Sequence, residues 1–179
     1  MDSPSDHDLM ARVARGDERA FRTLAERHAG AALRLARRIL GNAAMAEDTV
    51  QDALLRVWIN APRWRPDAAF RTWLYRIVVN LCLNARRRAP NLPLDAAAHI
   101  AEQGPGADEQ LRLHERDRRL AAAISALPER QRAVIVLTYQ EGLSNADVAQ
   151  VLDISVSSVE ALLVRARRTL RAAFESDQN

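Results

Sequence analysis

Apolar side chains recur at intervals of three and four residues along most of this chain, and that spacing constrains the fold more than any other feature. Such a period places apolar residues on one face of an α-helix, whereas a half-buried strand requires alternation. No alternating pattern runs for more than a few residues. The hydrophobic content of 48% comes mostly from Ala, Leu and Val, with only 4% aromatic residues. This composition favours helical bundles, so we expect an all-α fold.

Capping residues divide the N-terminal half into four predicted helices. Ser5 with Asp8 forms a capping box for the first helix, and Asp17 is placed to cap the second. The third and fourth helices are predicted over 46–61 and 68–88. Their apolar faces are expected to pack into a small bundle. On the fourth helix the side chains expected to be buried are Phe70, Trp73, Leu74, Ile77, Val78 and Leu81.

The helical period fails over residues 89–108, where prolines and glycines interrupt a stretch of alanines and acidic residues. We interpret this stretch as a flexible linker of roughly 20 residues between two small helical domains, 1–88 and 109–179. The second domain is predicted to contain four helices, at about 109–126, 128–141, 145–152 and 156–174.

The charge is distributed unevenly between the two halves. All 26 basic residues are arginine; residues 1–88 carry 16 of them with 10 acidic residues, a net charge of +6. Residues 89–179 carry 10 arginines and 13 acidic residues, a net charge of −3. The segment 63–88 holds seven arginines and one acid, Asp67. So concentrated a basic segment favours binding of a polyanion such as nucleic acid, and a solvated helix face is the alternative.

Several classes of chemistry are excluded by what the sequence lacks. A single cysteine, Cys82, rules out an internal disulfide and a cysteine-rich zinc site, and the four histidines show no metal-ligand spacing. No P-loop, dinucleotide fingerprint or nucleophile motif appears, so we expect a protein that is not an enzyme and that uses no cofactor and no metal. With no signal peptide and no long apolar run, we expect a soluble cytoplasmic protein without membrane insertion.

The strongest local signal is a helix-turn-helix pattern from Ser144 to Arg171. Ser144 begins a two-turn helix, 153–155 form a tight turn, and Ser155 caps a longer helix that ends in arginines. In this motif the start of the second helix enters the major groove of DNA. A helical hairpin with a solvated basic end is the alternative, and the motif is shared by many regulators. The residues predicted to contact DNA are Ser155, Ser157, Ser158, Glu160, Ala161, Val164, Arg165 and Arg168.

Two further features lie in the N-terminal half. Asp48 and Asp52 stand four residues apart on one helix face, where like charges weaken an isolated helix by about 0.2–0.5 kcal/mol. A basic partner outside the chain would explain this pair, although Arg56 one turn on can partly compensate. In addition, aromatic, arginine and amide side chains are combined over the turn and helix at 64–84, a mixture that suits unstacked single-stranded bases. Trp73 and Phe70 are expected in the core rather than on such a base-binding surface.

Taken in order, these motifs resemble the extracytoplasmic-function (ECF) sigma factors of bacterial RNA polymerase. The run Ala-Glu-Asp-Thr-Val-Gln-Asp at 46–52 is similar to their core-polymerase-binding segment, and 70–80 is similar to their promoter-melting segment. Further similarity lies in their first conserved segment and in their C-terminal domain, at 8–21, 127–132, 141–144 and 165–167.

The resemblance implies a transcription initiation factor with a region 2 domain and a helix-turn-helix region 4 domain. Its implied partners are core RNA polymerase (the β′ clamp helices and the β flap), promoter DNA and an anti-sigma factor. The residues implied to dock on the β′ clamp helices are Asp48, Gln51, Asp52, Leu55 and Arg56. Those implied to hold the non-template strand of the minus-ten element are Trp64, Arg65, Asp67, Arg71, Arg76, Asn80, Asn84 and Arg87.

The recognition helix departs from the family pattern. Basic residues are common near its start, where this chain has Glu160 and Leu162. Glu160 could accept a hydrogen bond from cytosine N4 in the minus-35 element, or it could pair with Arg165 or with an inhibitor. A regulator that acts without polymerase is the rival interpretation, and it leaves Asp48 and Asp52 unexplained.

Overall fold

A computed structural model of the chain describes residues 4–66, 69–88 and 118–176, and all regular elements within these ranges are helical. The N-terminal half contains α1 (Asp6–Val13), α2 (Glu18–Leu40), α3 (Ala43–Asn60), a 3-10 turn (Ala61–Arg63) and α4 (Phe70–Arg88). The C-terminal half contains α5 (118–126), α6 (Glu129–Ile135), a π-helical turn (Val136–Gln140), α7 (Asn145–Leu152) and α8 (Val156–Ser176). The all-α prediction is confirmed. The predicted linker, Asp67 and residues 109–117 lie outside the described residues.

The helix ends follow local capping chemistry. The Ser5 hydroxyl accepts a hydrogen bond from the backbone N–H of Asp8, whose carboxylate accepts one in return from the Ser5 backbone. Asp17 caps α2 by accepting from two backbone N–H groups, and the bond from Ala20 contributes most to holding its pKa below the usual range. Gly41 ends α2 with φ of +66°, a left-handed conformation that favours glycine.

Two predicted helix boundaries are wrong for identifiable reasons. α3 begins three residues before the predicted start because the Asn42 side chain accepts from the backbone N–H of Met45 at 2.9 Å and caps the helix there. The helix predicted over 128–141 changes from α to π after Ile135, where the backbone N–H of Glu141 bonds to the Val136 carbonyl at 3.0 Å. The predicted boundaries treat each helix as regular.

The four N-terminal helices bury an aliphatic core in which α4 is central. Phe70, Leu74 and Val78 are buried, as predicted, and so are Tyr75 and Cys82. Burial raises the pKa of the Cys82 thiol to about 12, so this thiol is a packed apolar group. Three other side chains predicted to be buried are only half-buried at the edge of the core: Trp73, Ile77 and Leu81.

The two halves pack directly against each other. α4 contacts α2 and α3 on one side and α7 and α6 on the other, and the buried residues of both halves form one continuous core. The sequence predicted two helical domains but gave no indication that they would share a core.

A buried arginine joins the two halves. Arg132 on α6 is 2% exposed and donates hydrogen bonds to the carbonyl of Ile39 at 2.8 Å and to those of Ser125 and Leu127. Burial, and secondarily the nearby charge of Arg86, lowers the pKa of Arg132 to about 10. Because Ile39 lies in the last turn of α2, its carbonyl belongs to the negative end of that helix and attracts the guanidinium.

We expect Arg132→Met to lower the free energy of unfolding by about 1–3 kcal/mol, because it leaves buried carbonyl oxygens without a donor. Chemical denaturation monitored by circular dichroism measures the change. Arg130→Met is the matched control, since Arg130 is an exposed neighbour on the same helix and should change stability by no more than about 0.5 kcal/mol. An Arg132→Met protein as stable as the parent would show that relief of charge burial outweighs the lost hydrogen bonds.

Candidate nucleic-acid interface

One face of α3 presents side chains to solvent at intervals of three and four residues. Asp48 has no hydrogen bond or ion pair within the described residues, whereas Asp52 accepts from Arg56 at 3.3 Å, the compensation expected from their spacing. Leu55 and Ile59 are 55% and 62% exposed, and exposed apolar groups beside an unpaired carboxylate are typical of a protein-binding surface. We call this surface the α3 face; it consists of Asp48, Gln51, Asp52, Leu55, Arg56 and Ile59.

Ile59 was missed in the sequence analysis. It lies four residues after Leu55 and therefore continues the spacing of the predicted set. The spacing of four residues therefore indicated that Ile59 lies on this face, but an isoleucine in a helix is more commonly a core residue.

A cleft of about 560 Å³ lies between the end of α3, the turn that follows it and α4. Four of the predicted DNA-contacting residues line it, namely Trp64, Arg65, Arg76 and Asn80. Arg56 of the α3 face also reaches this cleft, so the two surfaces are adjacent. Three other lining residues were not predicted to contact DNA: Asn60, Arg63 and Ile77. Aromatic, cationic and amide groups in one concave site suit an unstacked base.

Trp64 is positioned by the first helix and by the 3-10 turn. Its ring packs against that of His7 with the centroids 5.5 Å apart, and its backbone N–H donates to the carbonyl of Ala61 at 3.1 Å. The indole N–H is buried and has no hydrogen-bond partner within the described residues. The cleft wall therefore contains an unused donor on a rigid aromatic ring.

α4 divides the other predicted residues between two sides. At about 100° per residue, Asn80, Asn84 and Arg87 share a side with Arg76, and Arg71 lies on a different side of the helix. Arg87 donates to the Asn84 side chain, which fixes both. The structure therefore places Arg76 and Asn80 in the cleft and Asn84 one turn beyond its lining on the same side of α4, but it does not bring Arg71 into the cleft.

The helix-turn-helix is built as its capping residues predict. The Ser144 hydroxyl accepts from the backbone N–H of Asp147 at 3.1 Å at the start of α7, and Ser155 accepts from that of Ser158 at 3.2 Å at the start of α8. Asp153 ends α7 with φ of 56°, a left-handed conformation that an Asp side chain tolerates. Val159 and Leu163 of α8 are buried against the motif, which fixes the orientation of the outward-facing side chains.

The outer face of α8 is mostly available to a ligand. Among its predicted contact residues only Ala161 is half-buried; the exposed ones are Ser155, Ser157, Ser158, Glu160, Val164, Arg165 and Arg168. Within the described residues Glu160 forms no ion pair with Arg165 or any other cation. Tyr139 was not predicted to take part in this surface. Its hydroxyl accepts a hydrogen bond from Arg167 at 2.9 Å, so this arginine is directed away from the side chains that are predicted to contact DNA.

A second cleft, of about 820 Å³, lies between the two halves. Its walls are Thr72, Trp73 and Arg76 of α4 and residues 153–156 of the helix-turn-helix, with α7 alongside. Trp73 and Arg76 therefore line both clefts, and the start of the predicted recognition helix faces α4.

Comparison with known proteins identifies the family. Sigma-70 region 2 matches residues 24–90, and Sigma-70, region 4 matches residues 117–170. The chain is 36% identical to the ECF RNA polymerase sigma factor SigM of Mycobacterium tuberculosis, over 93% of this chain and 83% of SigM. It is also 36% identical to the RNA polymerase sigma factor CnrH of Cupriavidus metallidurans, over 98% of each chain. The chain is a member of the ECF sigma factor family.

Solved structures agree with this assignment. CnrH in complex with the cytosolic domain of CnrY superposes on this sigma factor with a TM-score of 0.69 at 32% identity, covering 97% of this chain and 99% of CnrH. The sigma factor RpoE of Bartonella quintana, in complex with the anti-sigma factor NepR, shares the fold with a TM-score of 0.68 at 21% identity, over 88% of this chain and 98% of RpoE.

The family assignment confirms the predicted function at the level of the whole chain: the protein is a transcription initiation factor that directs RNA polymerase to promoters. The region 2 match includes most of α2 with α3 and α4, and the region 4 match includes the helix-turn-helix. α1, which positions Trp64 through His7, lies before both matches.

Two kinds of feature, a metal-holding cluster and a membrane-spanning helix, are absent from the described residues. Neither a group of three or more His, Cys, Asp or Glu side chains arranged to hold a metal ion nor a helix with the length and apolarity needed to cross a membrane occurs among them.

Proposed function

We propose that the α3 face binds core RNA polymerase while the adjacent cleft captures the non-template strand of the minus-ten element. The observation that carries this proposal is the adjacency itself: Arg56 belongs to both surfaces. A factor that melts DNA on polymerase must hold the enzyme and the separated strand at once. Neither a free-standing regulator nor an enzyme has a use for this arrangement.

The polymerase contact would be made with the coiled-coil clamp helices of the β′ subunit. Asp48 offers an unpaired carboxylate to a basic partner, and Leu55 and Ile59 offer apolar surface that such a partner would cover. Gln51 and Asp52 complete the polar part of the surface. Exposed charges of this kind add specificity and association rate, while burial of the two aliphatic side chains supplies most of the affinity.

Promoter melting in this scheme uses binding energy alone. A base that leaves the duplex loses its stacking, and an aromatic ring together with arginines in the cleft replaces about 1–3 kcal/mol of it per base. Asn80 would read the edge of the captured base, and Arg65, Arg76, Arg87 and Asp67 would border the path of the strand. No residue performs covalent chemistry, so the protein is not an enzyme and needs neither a cofactor nor a metal.

The C-terminal domain would bind the minus-35 element through the start of α8 and contact the polymerase β flap. We assign residues 1–88 to region 2, 89–108 to a connecting segment and 109–179 to region 4. Like the relatives solved with CnrY and NepR, the protein would be held inactive by a protein partner, an anti-sigma factor. Because RNA polymerase is its target, it would act in the cytoplasm.

The polymerase contact is tested by reversing its two acids. Asp48→Arg combined with Asp52→Arg should raise the Kd for core polymerase at least about tenfold, or about 1.4 kcal/mol, because two attractive contacts become repulsive. Surface plasmon resonance without DNA measures this, and circular dichroism verifies helicity. Glu26→Arg with Glu175→Arg makes the same change in net charge at exposed sites elsewhere. Equal affinities of the two double variants would rule out the α3 face.

The strand contact is tested at Asn80. Asn80→Ala should reduce open-complex formation about fivefold, the effect of losing roughly 1 kcal/mol of hydrogen bonding to the captured base, with closed-complex affinity unchanged. Permanganate reactivity of unpaired thymines reports opening on a promoter found by mapping start sites after overexpression. Gln140→Ala removes an exposed amide outside the cleft and should have no effect. An equal loss in both complexes would make Asn80 a structural residue.

The minus-35 contact is tested by comparing Glu160 with Arg168. Glu160→Ala should relax the preference at one upstream base pair by about 1–3 kcal/mol, because a cytosine N4 donor loses its acceptor. Arg168→Ala should weaken binding to all sequences and flatten the salt dependence, as loss of a phosphate contact does. Selection from randomised minus-35 elements measures both. Tighter binding of every sequence by Glu160→Ala, with an unchanged preference, would identify Glu160 as a merely repulsive charge.

A further inference from the structure

The C-terminal half of this DNA-binding protein has a net charge of −3, and two of its acidic residues face arginines of the other half. Glu141 contacts Arg38 and Arg71, and Asp153 contacts Arg76 at 3.0 Å. Of these three arginines, Arg76 lines the proposed minus-ten cleft, and Arg71 is one of the residues that the family resemblance implies for the same strand. Acidic residues of region 4 therefore occupy cations that a DNA phosphate would otherwise contact.

The Glu141 carboxylate lies in an anion-binding site formed by three converging donors. One carboxylate oxygen accepts from Arg38 at 3.0 Å, and the other accepts from the Tyr75 hydroxyl at 2.7 Å and from Arg71 at 3.2 Å. The Glu141 side chain is only 8% exposed, and Arg71 also lies over the Tyr75 ring. Burial, followed by the hydrogen bond to Glu141, raises the pKa of Tyr75 and keeps it a donor.

All three donors of this site come from the N-terminal half, so the site itself does not depend on region 4. Arg38 projects from α2, and Arg71 and Tyr75 project from α4. Two guanidinium groups that converge on one point repel each other unless an anion lies between them. If the halves separate, the site requires a replacement anion, and a phosphate oxygen has the charge and acceptor geometry of the lost carboxylate.

Local backbone geometry delivers Glu141 to this position. It directly follows the π-helical turn, a rare conformation that is frequent at functional sites. Its own carbonyl accepts a second bond from Arg71 at 3.0 Å, and Gly142 then turns the chain with φ of +67°. The π-helical turn that follows α6 therefore holds both the carboxylate and the backbone carbonyl of Glu141 against the N-terminal half.

The same packing brings the start of the recognition helix against α4, while the outer face of α8 stays exposed. Residues 153–156 at the start of the recognition helix face Trp73 and Arg76, which also line the minus-ten cleft. A strand that follows this surface past Arg76 would meet Asp153 and α7.

We infer that Arg38, Arg71 and Tyr75 form a phosphate-binding site for promoter DNA and that Glu141 fills this site in the free protein, which makes the packed form self-blocked. The inference rests on the proposed function, because that function makes Arg76, and the family resemblance makes Arg71, part of the promoter surface. It adds Arg38 and Tyr75 to that surface and assigns an inhibitory role to region 4 that requires no second protein.

The test measures DNA binding by the free full-length protein. The probe is a labelled single-stranded DNA of random sequence, about 12 nucleotides long, within the range of a single small binding domain. Glu141→Gln should bind it about fivefold more tightly than the parent in fluorescence anisotropy, with a gain that shrinks as salt is raised. Small-angle scattering should show a larger radius of gyration. Glu141→Ala, which removes the acceptor altogether, should give at least the same changes.

Two further variants distinguish the site from a simple charge effect. Glu26→Gln changes the net charge equally at an exposed position on α2 and should leave DNA affinity and dimensions unchanged. Adding Arg38→Gln to Glu141→Gln should abolish the gain in affinity while the protein stays expanded, because the phosphate then loses a donor. Melting curves verify that every variant is folded.

Three results would overturn the inference. In the first, both Glu141 variants have the same DNA affinity and radius of gyration as the parent protein. In the second, Glu26→Gln raises DNA affinity as much as Glu141→Gln does. In the third, the gain in DNA affinity of Glu141→Gln persists after Arg38→Gln is added. The Asn80→Ala measurement in holoenzyme does not involve Glu141, so any of these results leaves the minus-ten cleft standing. Conversely, an Asn80→Ala result that contradicts the minus-ten cleft does not decide the phosphate site. The larger radius of gyration of the Glu141 variants and the dependence of their DNA affinity on Arg38 still test that site.

Discussion

The whole structure depends on α4 being packed from two directions. Leu74, Val78 and Cys82 are fully buried on this helix, and α2 and α3 pack against one side while α6 and α7 pack against the other. A helix in this position has only a narrow exposed strip, and that strip carries Arg76, Asn80 and Asn84. The proposed minus-ten cleft lies along this strip, so the packing of α4 fixes the orientation of those α4 side chains that would meet the DNA strand.

Polar contacts accompany the shared apolar core where the two halves meet. Arg132 bonds to backbone carbonyls on both sides of the junction, and Glu141 bonds to three side chains across it. Removal of one partner leaves a buried polar group unsatisfied, whereas separation of the halves returns all of them to water. The polar contacts therefore make the closed form specific, while the apolar contacts supply most of its stability.

Much of the fold was predictable because its signals are local. Asp17, Gly41 and Ser155 act within one turn of their own positions, so the sequence alone located the helix ends and the helix-turn-helix. The π-helical turn and the burial of Tyr75 were not predictable, because both depend on α6 and α7 packing against α4. Those contacts join residues about 70 positions apart, where no periodicity carries information.

The contacts of Glu141 and Asp153 with arginines of the N-terminal half, which we call the clasp, have to be weak to be useful. Because the two halves are covalently connected, their effective concentration is in the millimolar range for a flexible connection, and modest contacts suffice to close the protein. Exposed pairs such as Arg76 with Asp153 contribute about 0.2–1 kcal/mol each, whereas the pairs of Glu141 are better shielded from water. Polymerase that binds the two halves at separate places adds far more than this. The clasp would therefore suppress binding of DNA by the free protein and offer little resistance to assembly of the holoenzyme, which is the balance that a specificity subunit requires.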